Sequence, residues 1–304
     1  MSTPVNIEDA RRIVFGGLID YAGLFPPASL DMAGAVVGFR DSRRSSFNWV
    51  VDRFIVPASR LEELGLELAS SMSAGEEPWR LSVIADLGEF PSFRETHRAI
   101  AGYSAEMATA SSVELVEAKL PSSPADSDVG DAAVEFATMG VVAFFEMPPD
   151  ELPIDAIAAA RRQRDVAIGA KLRCGGETAD QFPSPDRVAA FIVGCVARSL
   201  PFKCTAGLHH PVRHVADDTG FVHHGFLNIL AASLSAFEGR DDLVDILTDD
   251  DPSSFTVSRS GFSWRGRAFR ADSITSSRAA GFVGYGSCDF EEPVADLVEL
   301  GMLP

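Results

Sequence analysis

The sequence predicts an α/β fold of the (β/α)8 TIM-barrel type, a single domain over residues 1–304 with a hairpin segment inserted before the last strand. Short apolar runs rich in β-branched residues alternate with segments of helical apolar spacing, and the alternation repeats eight times. The 304-residue chain is 46% hydrophobic, enough to close one large core, and no low-complexity linker divides it. A doubly wound open sheet produces the same alternation and is the competing architecture.

The eight units follow in order. Val14 to Tyr21 precedes a helix from about Leu30 to Arg40; Arg53 to Pro57 precedes Arg60 to Ser70; Arg80 to Asp86 precedes Phe93 to Tyr103. Val113 to Leu120 precedes Val129 to Met139, Val141 to Met147 precedes Ile154 to Arg162, and Ala167 to Leu172 precedes Arg187 to Ser199. The seventh pair is Phe202 to Ala206 with Phe226 to Phe237, and the eighth is Phe282 to Gly286 with Glu291 to Leu300. Ser184 followed by Pro185 reads as an N-cap with proline at the first helical position, and Gly301 stands where a C-cap glycine belongs. Residues 240–278 break the repeat. There Phe255 to Val257 and Ser263 to Phe269 read as a hairpin turning at Ser260-Gly261, an insertion in the role of a lid or an oligomer contact.

Twenty-six Lys and Arg against 44 Asp and Glu give a net charge of -18, a field that repels phosphate backbones and anionic lipid, so neither nucleic acid nor a membrane surface is expected as a partner. Any anion site must therefore be built locally from clustered basic groups. Four cysteines without a CxxC pair point to reduced thiols and a cytoplasmic setting. No run has the length needed to span a bilayer. The expected partner is a small-molecule substrate, with a homo-oligomer left open.

In a barrel, inward side chains alternate along each strand, and catalytic groups come from strand C-terminal ends. The fourth strand offers Glu117 and Lys119, the fifth Glu146, the sixth Lys171 and Arg173, the seventh Lys203 and Thr205, and Asp20 and Asp86 hold similar places on strands one and three. Singly, such residues suit a buried ion-pair network; as a set they suit a site, because burying this many charges is costly. A lysine among cationic neighbours can attack a carbonyl to form a Schiff base, and Lys203 beside Lys171 and Arg173 meets that description. Alternatively either lysine holds a carboxylate or phosphate as a point charge.

Lys171-Leu172-Arg173, then about thirty residues with a helix, then Phe202-Lys203-Cys204-Thr205-Ala206-Gly207 resemble consecutive strands of deoxyribose-phosphate-type class I aldolases, whose Schiff-base lysine lies in a Lys-Thr-Ser-Thr-Gly motif. The resemblance covers about forty residues and implies that Lys203 is the Schiff-base lysine with Lys171 near it. A further family lysine, in a Gly-Gly-bearing strand, has no counterpart in Phe282-Val283-Gly284-Tyr285-Gly286-Ser287.

The leading expectation is therefore a lyase or aldolase-like enzyme for a small carboxylated or phosphorylated carbonyl metabolite, needing no cofactor. Lys203, Lys171, Glu146, Glu117 and His209 are its catalytic candidates. Arg173, Lys119, Asp20, Tyr21, Thr205, Gly286 and Ser287 would line the substrate, the last two through amides leading into a helix N-terminus, where Asp289, Glu291 and Glu292 serve equally well as a cap. Asp20 and Tyr21 open an apolar, proline-stiffened loop that could wall the pocket or pack on the insertion. The alternative is a metal-dependent hydrolase or lyase with His209, His210 and His224 holding zinc or manganese beside a carboxylate. A third reading is a non-catalytic metabolite-binding barrel, in which the strand-end charges neutralise one another.

Overall fold

A computed structural model describes residues 6–86, 93–120, 126–217, 219–259 and 261–304. Thirteen strands are present among them: β1 (Ile19–Tyr21), β2 (Val51–Pro57), β3 (Trp79–Ile84), β4 (Ser111–Lys119), β5 (Val142–Glu146), β6 (Ile168–Arg173), β7 (Phe202–Thr205), β8 (His214–Val215), β9 (Val222–His223), β10 (Phe255–Ser258), β11 (Gly261–Trp264), β12 (Arg267–Ala268) and β13 (Phe282–Ser287). Strands β1 to β7 and β13 pair in parallel around a closed ring in the order β1-β13-β7-β6-β5-β4-β3-β2. The chain is thus a (β/α)8 barrel, and the open-sheet alternative is excluded because β1 pairs with both β13 and β2.

The helices are α1 (Ile7–Phe15), α2 (Met32–Arg44), α3 (Leu61–Ser71), α4 (Phe93–Met107), α5 (Asp126–Ala137), α6 (Ile154–Arg164), α7 (Pro185–Ala197), α8 (Phe226–Phe237), α9 (Leu243–Thr248), α10 (Ala271–Ala280) and α11 (Glu291–Glu299). Eight follow the barrel strands as the sequence pattern predicts. Ser184 caps α7 by accepting from the Arg187 amide, with Pro185 in the first turn. Gly301 takes the left-handed conformation just past α11.

The first strand differs from expectation. Val14 and Phe15 end α1, whose amide donors are capped by Asn6, and only Ile19–Tyr21 is extended. Both residues are apolar and buried in a helix as in a strand, so a short apolar run could not tell the two apart.

The insertion is larger than a hairpin. It holds α9, a three-stranded antiparallel sheet of β10, β11 and β12, and the start of α10. The expected strand Ser263 to Phe269 is broken at Arg265-Gly266, both with positive φ, and of the expected Ser260-Gly261 turn Ser260 lies outside the described residues. The sheet packs on α1, and α9 packs on α8. These contacts seat the insertion beside the barrel wall, against α1 and α8, as part of the protein's own packing. They do not support the expected lid role.

Candidate functional site

The barrel interior carries a chain of alternating charges drawn from five strands. Asp20 of β1 binds the Lys203 ammonium of β7, which also binds Glu117 of β4. The other Glu117 oxygen lies 2.7 Å from Lys171 Nζ on β6, which lies 3.0 Å from Glu146 of β5. Glu146 in turn accepts from Arg173 Nε at 3.2 Å, at the end of β6. Three carboxylates and three cations therefore alternate, and the chain is formally neutral.

Strand register explains the assembly. Lys119, Glu146, Lys171 and Lys203 are successive Cα partners across β4, β5, β6 and β7, so they face the interior together. The two lysines are neighbours of like sign, and Glu117, reaching across from β4, separates their charges by giving one oxygen to each. Below them Phe144 fills the lumen, its ring centroid 5.9 Å from Lys203 Nζ. Gly169 makes this possible, since a Cβ there would stand 2.3 Å from the Phe144 ring.

Exposure rises along the chain. Lys203 and Glu117 are 1% and 2% exposed, Lys171 5%, and the Arg173 side chain 39% at the strand C-terminal mouth. Lys119 is also exposed there, and its charge helps lower the Glu146 pKa. Burial alone would neutralise these groups, but their partners outweigh it. Against that penalty, Lys171 and Lys203 hold the Glu117 carboxyl well below the usual carboxylate range, and Lys171 and Arg173 lower Glu146. Against the same penalty, Asp20 and Glu117 raise the Lys203 pKa, and Glu117 and Glu146 raise that of Lys171. Both lysines are therefore ammonium ions at neutral pH, opposite to the lowered pKa on which a ready Schiff-base nucleophile depends.

Two supporting groups were not anticipated. Ser82 of β3 donates to Glu117 at 2.7 Å, and the Arg53 amide of β2 donates to Asp20 at 3.0 Å. Ser82 carried a signal, a polar residue inside the apolar run Leu81 to Ile84; a backbone donor carries none.

Several expected site residues lie elsewhere. Tyr21 follows inward-facing Asp20 and so points outward, packing on Phe39 and Phe54 between barrel and helices, where burial and then Asp289 raise its pKa to about 12. It is not brought to the mouth. Ser287 likewise turns away, donating to the Asp289 carbonyl, while Asp289 itself takes the Glu291 and Glu292 amides at 2.6 and 3.2 Å. Capping therefore occupies the helix end considered for phosphate. Gly286 does face inward, against Ile55 and Thr205, and leaves space beside the Thr205 hydroxyl. Asp86 binds Ser59 between two loops and does not join the charged chain.

The three histidines expected to hold a metal, His209, His210 and His224, are not brought together, although the rings of His210, His214 and His223 form a row with centroids 4.5 and 5.2 Å apart. His209 pairs with Glu292 at 3.1 Å and His210 with Asp296 at 2.7 Å, both on α11, whereas His224 donates through Nε2 to the Pro183 carbonyl at 2.7 Å. Among the described residues no three His, Cys, Asp or Glu side chains are placed to hold a metal ion. A cavity of about 330 Å³ opens beside His224, between the loops that follow β6 and β7 on the same C-terminal face. These two loops meet at Gly175 and Gly207; a Cβ on Gly175 would stand 2.8 Å from the Gly207 Cα.

Among the described residues no helix is long and apolar enough to cross a membrane. No family model and no curated protein sequence matches the chain. Its backbone is similar to the crystal structure of a sugar phosphate isomerase/epimerase from Parabacteroides distasonis, with 11% sequence identity, a TM-score of 0.37, and coverage of 87% of this chain and 94% of that one. The barrel assignment itself rests on the strand pairing.

Proposed function

We propose that the C-terminal mouth is the site of an aldolase-like lyase acting on a small carbonyl metabolite that bears a carboxylate or phosphate. The observation that supports this is the charged chain, buried at its Asp20 end, where the Arg53 guanidinium lies 3.7 Å away, and exposed at the mouth through Arg173 and its neighbour Lys119. Arg173 with Lys119 would hold the anion, a role suited to a guanidinium at the edge of an otherwise acidic protein. Lys171, the next cation along the chain, would act as an ammonium electrophile toward the substrate carbonyl. On carbon–carbon cleavage Glu146 takes the proton of the β-hydroxyl group, and the electron pair of the breaking bond becomes an enolate stabilised by Lys171. Lys203 would be a positioning residue that sets Glu117 and through it Lys171. An imine route on the same lysine requires a prior proton transfer from Lys171 to Glu146.

The test is incubation in D2O with a panel of phosphorylated and carboxylated hydroxy-carbonyl compounds, followed by NMR. Cleavage, or deuterium entering the carbon next to a carbonyl, is expected, with KM raised in Arg173→Gln. Borohydride then separates the two routes: a covalent adduct on Lys171 or Lys203 would replace the electrophile with an imine. The non-catalytic reading has one observation in its favour, the mutual neutralisation of the chain. It predicts binding of an anionic metabolite with neither exchange nor cleavage.

A further inference from the structure

A cavity of about 740 Å³ opens at the opposite, N-terminal end of the barrel, a volume within the range of small-molecule sites. Phe144 lines it and lies beneath Lys203, so the cavity and the charged chain occupy opposite sides of that ring layer. Arg12, Arg53, Arg80 and Arg278 also line it. Two of these are neutralised. Arg53 and Arg80 share Glu114 at 3.0 and 2.7 Å and share Asp52 as well, forming a closed ring of two cations and two anions.

The other two arginines have no such partner. Arg12 lies over the Trp49 ring at 5.1 Å, and no carboxylate pairs with it among the described residues. Arg278 donates only to carbonyls, Phe282 O at 2.6 Å and Gly16 O at 3.0 Å, and its shielded Nε has no hydrogen-bond partner. Part of the Arg278 side chain remains open to solvent, but the guanidinium is buried enough that its pKa falls to about 10. Asp52 and Asp20 act on this guanidinium only through space, with no ion pair, and carbonyl oxygens offset only part of its charge, so its partial desolvation is costly. In a chain of net charge -18 two such groups facing one cavity form a local exception. Asp52, the acid on the same wall, is engaged by Arg53 and Arg80, which offset its charge toward an incoming anion.

We propose that this cavity binds a small polyanion, a phosphorylated or multiply carboxylated metabolite, through Arg12 and Arg278, at a site separate from the C-terminal mouth. The ring of Arg53, Asp52, Arg80 and Glu114 forms the rigid wall against which it sits.

The experiment is isothermal titration of pyrophosphate, and separately of citrate, into the full chain at low ionic strength. Wild type is expected to bind at least one probe saturably, with one equivalent that depends on Arg12. Arg12→Gln should weaken that binding about tenfold or more, in keeping with loss of a charge-assisted contact. Arg278→Met should do the same, and Arg173→Gln, at the other mouth, should leave it unchanged. Because Arg278 also ties Gly16 to Phe282, its variant is read only after circular dichroism shows native folding; Arg12 is exposed, so Arg12→Gln tests the site alone. Absence of saturable binding by both probes overturns the proposal. So does binding that ignores Arg12→Gln, or binding lost in Arg173→Gln, which would place the anion at the C-terminal mouth.

Discussion

Replacing Lys203 with methionine removes one cation while keeping most of the side-chain volume. Asp20 retains the Arg53 amide at 3.0 Å and a guanidinium 3.7 Å away, and Glu117 retains Lys171 and Ser82, but two carboxylates that shared the ammonium now face a gap. Breaking a buried pair from one side costs roughly 3–5 kcal/mol. With an unfolding entropy of about 2.1 cal/mol/K per residue, a chain of this length loses about 1.6 °C of Tm per kcal/mol, so a fall of about 5–8 °C is expected.

The pH dependence supplies a second readout. The raised Lys203 pKa contributes stability that is full below the unfolded lysine value and lost as pH rises through the folded one; the lowered Glu117 pKa contributes stability that is full above the unfolded carboxylate value and lost as pH falls. Wild type is therefore fully supported across the neutral range. The variant leaves a carboxylate short of a cation, and protonation relieves it, so the Tm deficit should narrow from pH 8 to pH 5. Adding Asp20→Asn should restore part of the loss. Thermal unfolding followed by circular dichroism at both pH values decides the matter: a Tm change under about 2 °C, or a deficit that widens in acid, would refute the buried chain.

Arg173→Gln should raise KM for an anionic substrate about tenfold while moving Tm little, since its side chain is 39% exposed; steady-state kinetics and a melt read both. Gly38→Ala would set a Cβ 2.3 Å from the Tyr21 hydroxyl oxygen and should cost about 1–3 kcal/mol, whereas the double variant with Tyr21→Phe should recover most of it in denaturant titration. Tyr21→Phe alone should leave turnover unchanged, because the ring faces the helices. Asp289→Ala should cost about 1 kcal/mol through loss of the α11 cap, measurable by urea unfolding, without weakening substrate binding.

Much of this arrangement was legible because the side-chain period of a strand is two. Glu117, Glu146, Lys171 and Lys203 stand out as charges late in strands, and register brings them together. The same rule, applied to Asp20, sends Tyr21 outward, and neglecting it misplaced that residue. Strand spacing could not show that Glu117 crosses the lumen to reach Lys203, because that contact depends on barrel closure and stagger. Nor could it show that Lys203 is clasped from two sides. A crowded neighbourhood of lysines suggests a lowered pKa only until the carboxylates are placed. Of the three histidines expected to share a metal, His209 and His210 are drawn to separate carboxylates on α11 and His224 to the Pro183 carbonyl, while the β8–β9 hairpin pairs His214 with His223 instead, since proximity along a loop says little about which rings converge.

Helix α8 is apolar on all sides, and every residue from Phe226 to Ser235 is buried. An outer helix of a barrel ordinarily keeps one wet face; this one is roofed by α9, with Asn228 donating to the Ile246 and Asp249 carbonyls and Ser233 meeting Ser277 of α10. The segment between β7 and β13 is therefore no detachable ornament. Trimming residues 240–278 to obtain a minimal barrel would strip that roof and leave a greasy rod at the surface. The shortened chain should accumulate as insoluble material, so the insertion belongs to the folding unit of the barrel.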